Sequence, residues 1–213
     1  MKKFLKARNI LILIFIIVVV TFICLIKRGD ASESKTYKYF SKLEKSNYTI
    51  TLEVNENKKA KTTIVNDVDN GIFVYKHVGF DYSADEESNY TNISRDGVIY
   101  TINDDLKEYT VVRDDYTHTI FLDEITSCDY YTRGVSIING KLLHYEHFKK
   151  DETDIKFYFQ GDKLMYIKDQ SDQEGKMQIF KVEEGINEEL YEIPEDFKCV
   201  WNVEWENDLS ENE

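Results

Sequence analysis

The chain of 213 residues has room for one domain of ordinary size beside a terminal segment, and not for two. Its formal net charge is −13, and because residues 1–30 hold six basic residues against one acidic, residues 31–213 carry −18. A surface of that sign argues against nucleic acid and anionic lipid surfaces as partners, since like charges repel and no basic stripe is present to release counterions.

Residues 1–9 form a basic tag with Lys2, Lys3, Lys6 and Arg8, and residues 10–26 read ILILIFIIVVVTFICLI without a charge. As a helix this run covers about 25 Å, and snorkelling of Lys6, Arg8, Lys27 and Arg28 extends it to the width of a bilayer core. The four cations before the run against two after it predict a single-pass signal-anchor, N-terminus inside, with the rest of the chain extracytoplasmic at the cell membrane. A cleaved signal peptide is the competing reading, because Gly29 and Ala31 give a small-x-small pattern. The run exceeds the usual h-region of about 7–15 residues, and Lys27 and Arg28 separate it from that cleavage site.

Residues 27–34 read as a linker, residues 35–205 as the extracytoplasmic domain and residues 206–213 as a frayed polar tail. Within 31–47, Tyr37, Phe40 and Leu43 recur at spacings of three, which predicts a short helix with Ser34 as its cap. From Tyr48 the period becomes two: Tyr48, Ile50, Leu52 and Val54 share one face of a strand. KTTIV, IFVYKHV, YTNIS, VIYTI and EYTVV follow as strands, separated by turns such as Asp69-Asn70-Gly71 and Arg95-Asp96-Gly97. The acidic stretch 79–88 lacks periodicity and reads as an exposed loop. Between Thr119 and Tyr131 the rhythm turns helical, predicting one interrupting helix or lid. VSII and KLLHYEHF flank Asn139-Gly140, the pair that favours a type I′ hairpin turn. DIKFYFQ, KLMYIKD and KMQIFKVEEG complete about ten strands by the alternation rule. The class is mainly β (α+β): a curved antiparallel sheet or half-barrel with a helical lid.

No catalytic signature is visible, so the chain reads as a non-enzyme without a cofactor. His144 and His147 point to opposite faces if their segment is a strand, which argues against a metal pair. The acidic clusters, including Asp67 to Asp69 and Asp85 to Glu87, do not reproduce a calcium loop and read as turns and solvated faces. Cys128 and Cys199 are an even pair outside the membrane and a possible disulfide. Tyr48, Ile50, Leu52, Val54, Phe73, Tyr75, Ile155, Phe157 and Phe159 stand on alternate strand positions. They form either the core or, on a curved sheet closed by a helix, the lining of a ligand cavity.

The order helix, long meander, interrupting helix, hairpin and final strands resembles the lipoprotein carrier or sorting superfamily, the LolA-like half-barrel capped by helices. SIINGKLLHYEHF with Gly140 and Glu146, KFYFQGDKLMYI, and YEIPEDFK with Ile193, Pro194 and Phe197 carry the resemblance. It implies a cavity for lipid or lipoprotein acyl chains, while some relatives act as sensor domains. This chain departs from that pattern in its transmembrane anchor, which prevents shuttling and favours tethered presentation or sensing. An interaction ectodomain that binds another envelope protein is the alternative expectation.

Overall fold

A computed structural model describes residues 30–55, 58–82, 84–114, 118, 120–128, 130–151, 153–170 and 176–202. The expected tag 1–9, transmembrane run 10–26 and tail 206–213 lie outside them. No helix among the described residues is long and apolar enough to cross a membrane.

Helix α1 spans Lys35–Leu43, preceded by a 3-10 turn at Ala31–Glu33, and the meander follows as β1 (Tyr48–Asn55), β2 (Lys59–Asp67), β3 (Ile72–Asp81), β4 (Glu86–Arg95), β5 (Val98–Asn103) and β6 (Glu108–Arg113). Helix α2 (Leu122–Ser127) leads into β7 (Tyr130–Ile138), β8 (Lys141–Lys150), β9 (Thr153–Gln160), β10 (Lys163–Asp169) and β11 (Met177–Glu184). A 3-10 turn at Glu188–Tyr191 precedes β12 (Lys198–Asn202). The strands join in one sheet in the order β12-β6-β5-β4-β3-β2-β1-β11-β10-β9-β8-β7. Every neighbouring pair is antiparallel except β12 with β6. The sheet is large, curved and unclosed, the architecture of a half-barrel, with β7 and β12 as its two edges.

Local chemistry explains the turns. Asn139 and Gly140 both take positive φ, +50° and +73°, as the hairpin between β7 and β8 requires. Gly79 sits at φ +111° with the carbonyl of Lys59 where a Cβ would be, so only glycine lets β2 and β3 pair there.

Each face of the sheet has its own core. On the inner face, under α1, Phe40 packs with Tyr48, Ile50, Phe157, Phe159 and Phe180. On the outer face Val65, Val74, Ile93 and Ile102 are covered by the segment after β11, through Ile186, Leu190, Tyr191, Ile193 and Phe197. This strap carries the chain from β11, at the centre of the sheet, across to β12 at its edge.

Three expectations need correction. Stretch 79–88 is mostly strand: Gly79 pairs with Ser88, Phe80 with Glu87 and Asp81 with Glu86, because backbone ladders form without side-chain alternation. The helical stretch 119–131 contracts to Leu122–Ser127, and β7 begins at Tyr130 rather than at Val135. Twelve strands are described rather than about ten; β12 lacks a readable alternation and pairs in parallel with a strand ninety positions away. Cys128 is buried in the inner core, and Cys199 lies on β12 beside Tyr109.

Candidate functional site: the inner face of the sheet

Helix α1 is bolted across the inner face. Ser34 Oγ accepts the amide of Tyr37 at 3.0 Å, the expected cap. Glu146, from β8, accepts the amides of Lys35 at 3.0 Å and Thr36 at 2.7 Å and the Thr36 hydroxyl at 2.6 Å. A carboxylate at a helix N-terminus satisfies otherwise orphan donors and complements the helix dipole. At the other end Asn66 Nδ2 on β2 donates to the carbonyls of Glu44 and Ser46 at 3.4 Å. Thus α1 reaches from β8 to β2 and drives Phe40 into a cage of Phe121, Phe157 and Phe180, with ring centroids 5.3, 5.6 and 6.1 Å away. Tyr39 stands edge-on to Phe159 and Phe180, and burial pushes its phenol up to about 12.

The nine candidate residues divide at this helix. Tyr48, Ile50, Phe157 and Phe159 lie in the core beneath or beside α1, and Val54 is buried farther along β1. Phe73 and Tyr75, partly buried against that core, line a groove of about 320 Å³ together with Leu52 and Ile155, which are themselves buried members of the core. Ile64, Ile120, Phe121 and Ile167 complete its apolar wall. Phe73 and Tyr75 also line an adjoining compartment of about 280 Å³ with Asn92, Ser94, Ile99 and His118. His118 stacks on Phe73 at 4.9 Å and 8° between planes, with its Nε2 2.8 Å from Asp114 Oδ2.

Phe121 forms the hinge of this wall. It precedes α2 at φ +58°, a left-handed conformation that a bulky side chain adopts only under constraint. That backbone places its ring against both Phe40 and Phe157 while it lines the groove.

A few polar atoms interrupt the apolar surface. His77, 7% exposed, meets the Thr62 hydroxyl through Nδ1 at 3.3 Å and stacks on Tyr90, and its Nε2 has no hydrogen-bond partner among the described residues. Asn92 Oδ1 and Gln178 Oε1, from residues lining the two compartments, are likewise buried without a described partner. An apolar cleft with a small number of polar groups is the usual anatomy of a small-molecule site, and its volume lies at the lower end of the usual range of about 300–1,000 Å³.

No family model matches the sequence, and no curated protein matches it. The fold does have solved neighbours. The crystal structure of an uncharacterized conserved protein from Thermus thermophilus aligns with 79% of this chain and 99% of its own at a TM-score of 0.51 and 8% identity. At that identity the likeness shows a shared fold alone. LprF from Mycobacterium bovis aligns over 80% of this chain and 99% of its own at 13% identity, with a TM-score of 0.44.

Sequence reasoning missed Ile64, Ile120, Phe121 and Ile167. Ile64 and Ile167 were within reach, since strand pairing sets Ile64 beside Ile50 and Tyr75, and Ile167 beside Phe157. Ile120 and Phe121 act through a loop whose conformation no periodicity encodes. His144 and His147 lie on opposite faces of β8, as their spacing requires, and His147 contacts Asp154 at 2.8 Å. Burial works against ionisation at Asp154, but hydrogen bonds from Lys149 and His147 outweigh it and hold the carboxyl below its usual 3.8. Among the described residues no three His, Cys, Asp or Glu side chains converge as metal ligands would.

Proposed function

We propose that the chain is a membrane-anchored, non-catalytic, extracytoplasmic binding module of the LolA-like kind, which holds a lipidic or apolar ligand on the inner face of its half-barrel. The observation that carries this reading is the groove walled by Leu52, Phe73, Tyr75, Ile120, Phe121 and Ile155: mostly apolar, with Thr62, Asp169 and Gln178 as its polar lining, and left unfilled by the chain's own side chains. The two compartments, which share Phe73 and Tyr75 in their walls, offer apolar surface suited to an acyl chain or an apolar peptide segment. A protein tethered by residues 10–26 presents or senses such a ligand at one membrane instead of ferrying it.

The second reading, an interaction or sensor ectodomain for another envelope protein, is favoured by the seating of Phe40: α1 already fills much of the inner face.

Native mass spectrometry with organic extraction of residues 30–213, purified from a lipid-containing host, separates the two. Near-stoichiometric lipid that disappears in Tyr75→Trp, whose larger ring occupies the groove, supports the ligand reading. A clean apo mass that stays unliganded on titration with fatty acid moves the weight to the protein partner.

A further inference from the structure

At its β7 edge the sheet leaves apolar side chains uncovered. Val135, Ile137 and Leu142 are 56, 73 and 64% exposed. Ile137 pairs with Leu142 and Val135 with His144, so all three share the face on which Glu146 caps α1. Val135, with Ile137 and Leu142 beyond it toward the hairpin tip, lines a trough of about 950 Å³ between the hairpin and the start of α1, together with Lys35, Arg133, His144 and Phe159 among others. Lys35 is bonded there to Asp162 at 2.8 Å, while Arg133 on β7 and Lys141 at the turn are exposed. In a domain of formal charge −18, apolar and cationic side chains are interleaved at this hairpin.

We propose that the β7–β8 hairpin is the surface with which the domain rests on the phospholipid bilayer. Val135, Ile137 and Leu142 enter the boundary between headgroups and acyl chains, and Arg133 and Lys141 meet lipid phosphates. The inference rests on the anchoring of residues 10–26. Four residues, 27–30, join that run to the described fold, a reach of at most about 14 Å when extended. Lys35, five residues further on, already lines the trough, so an anchored chain holds this part of the domain close to the headgroups. Apolar side chains flanked by Arg and Lys are the composition of an interfacial segment. The net negative charge of the domain opposes long-range attraction to anionic lipid. A tethered domain needs no such attraction, only a favourable contact once it is at the surface.

The test uses the full chain in vesicles of brominated phosphatidylcholine, with Trp201 and Trp205 replaced by Phe. A single tryptophan is then introduced as Ile137→Trp, as Leu142→Trp, as Leu106→Trp, or within the apolar run as Phe15→Trp. Leu106, 66% exposed in the turn between β5 and β6, lies at the opposite end of the sheet. The expected result is that Ile137→Trp and Leu142→Trp lose about half their emission to the bromines, as side chains seated about 5–10 Å into the interface do, while Leu106→Trp keeps its emission. Quenching of Phe15→Trp with none at either hairpin position overturns this inference and leaves the anchor standing. Equal quenching at Leu106 and Ile137 also overturns it, because the domain then has no preferred face. Absence of quenching at all four positions removes the anchor and the inference together. Shielding of the hairpin from aqueous acrylamide without bromine quenching assigns the patch to a protein partner and overturns the bilayer contact.

Discussion

Glu146 does more than its place on an edge-proximal strand suggests. Its carboxylate accepts two backbone amides and a hydroxyl from the first turn of α1, and Thr36, one of those partners, is fully buried. Removal strands donors that water does not reach, a cost of about 1–3 kcal/mol for a buried unsatisfied group. Glu146→Ala is therefore expected to destabilise the domain by about 2–3 kcal/mol in urea unfolding. Glu146→Gln, which keeps an acceptor oxygen but loses the charge, should cost about 1 kcal/mol. A loss under about 0.5 kcal/mol for the alanine variant would mean that the cap is not made. At this scale the sequence was half legible. Ser34 was readable as a cap because its chemistry is local, three residues from the amide it accepts. Glu146 carried part of the family resemblance, but its role depends on a contact 110 positions distant, which no local pattern reports.

Elements were legible where their two faces meet different surroundings. Strand β1 alternates buried and half-buried positions because one face lies under α1 and the other does not. In β2 and β3, Ile64 beside Val65 and Phe73 beside Val74 are apolar on both faces, the mark of a sheet covered on both sides. The second core on the outer face is the reason both positions are apolar. Helix α1 is short, so its stability comes from the face it buries and not from helix propensity. Phe40 is the centre of that face, caged by Phe121, Phe157 and Phe180. Phe40→Ala should then lower the unfolding free energy by about 3–5 kcal/mol, with the urea midpoint as the measurement. The same deletion removes the support behind Phe121 and joins the vacated space to the groove. A midpoint within about 1 kcal/mol of the parent would show that α1 is a loose lid and not part of the core.

Over the whole molecule, the outer core depends on a strap held by few polar ties, two of which involve a titratable carboxylate: Asp196 of the strap itself, paired with Lys107 at 2.7 Å, and Asp67 beneath it. Asp67, at the end of β2, is fully buried and accepts the Asn70 side-chain amide at 2.7 Å, the Asn70 backbone amide at 3.1 Å and the Tyr191 hydroxyl at 3.1 Å. The Asn70 side chain is the largest influence; together these bonds overcome burial and hold the Asp67 carboxyl below its usual 3.8. Tyr191 moves the opposite way: burial, with the nearby carboxylate, raises its phenol, so it stays a neutral donor at ordinary pH. A carboxyl whose folded value is depressed contributes stability above the unfolded value of 3.8, and the contribution is lost as pH falls through the folded value. Asp67→Asn should therefore be less stable than the parent at about pH 7, and the gap should narrow as pH drops below about 4. Urea midpoints of both proteins at about pH 7, 5 and 3 measure this; parallel curves over that range would mean that the charge on Asp67 contributes nothing to the strap's hold. The strap also explains why β12 was beyond reach of the sequence: its five residues pair with β6 only because residues 185–197 first cross the outer core and set the chain down at that edge. An acid-weakened tie at Asp67 should consequently loosen β12 before the meander beneath it, so amides of Cys199 to Asn202 are expected to exchange with solvent sooner than those of β3 as pH falls.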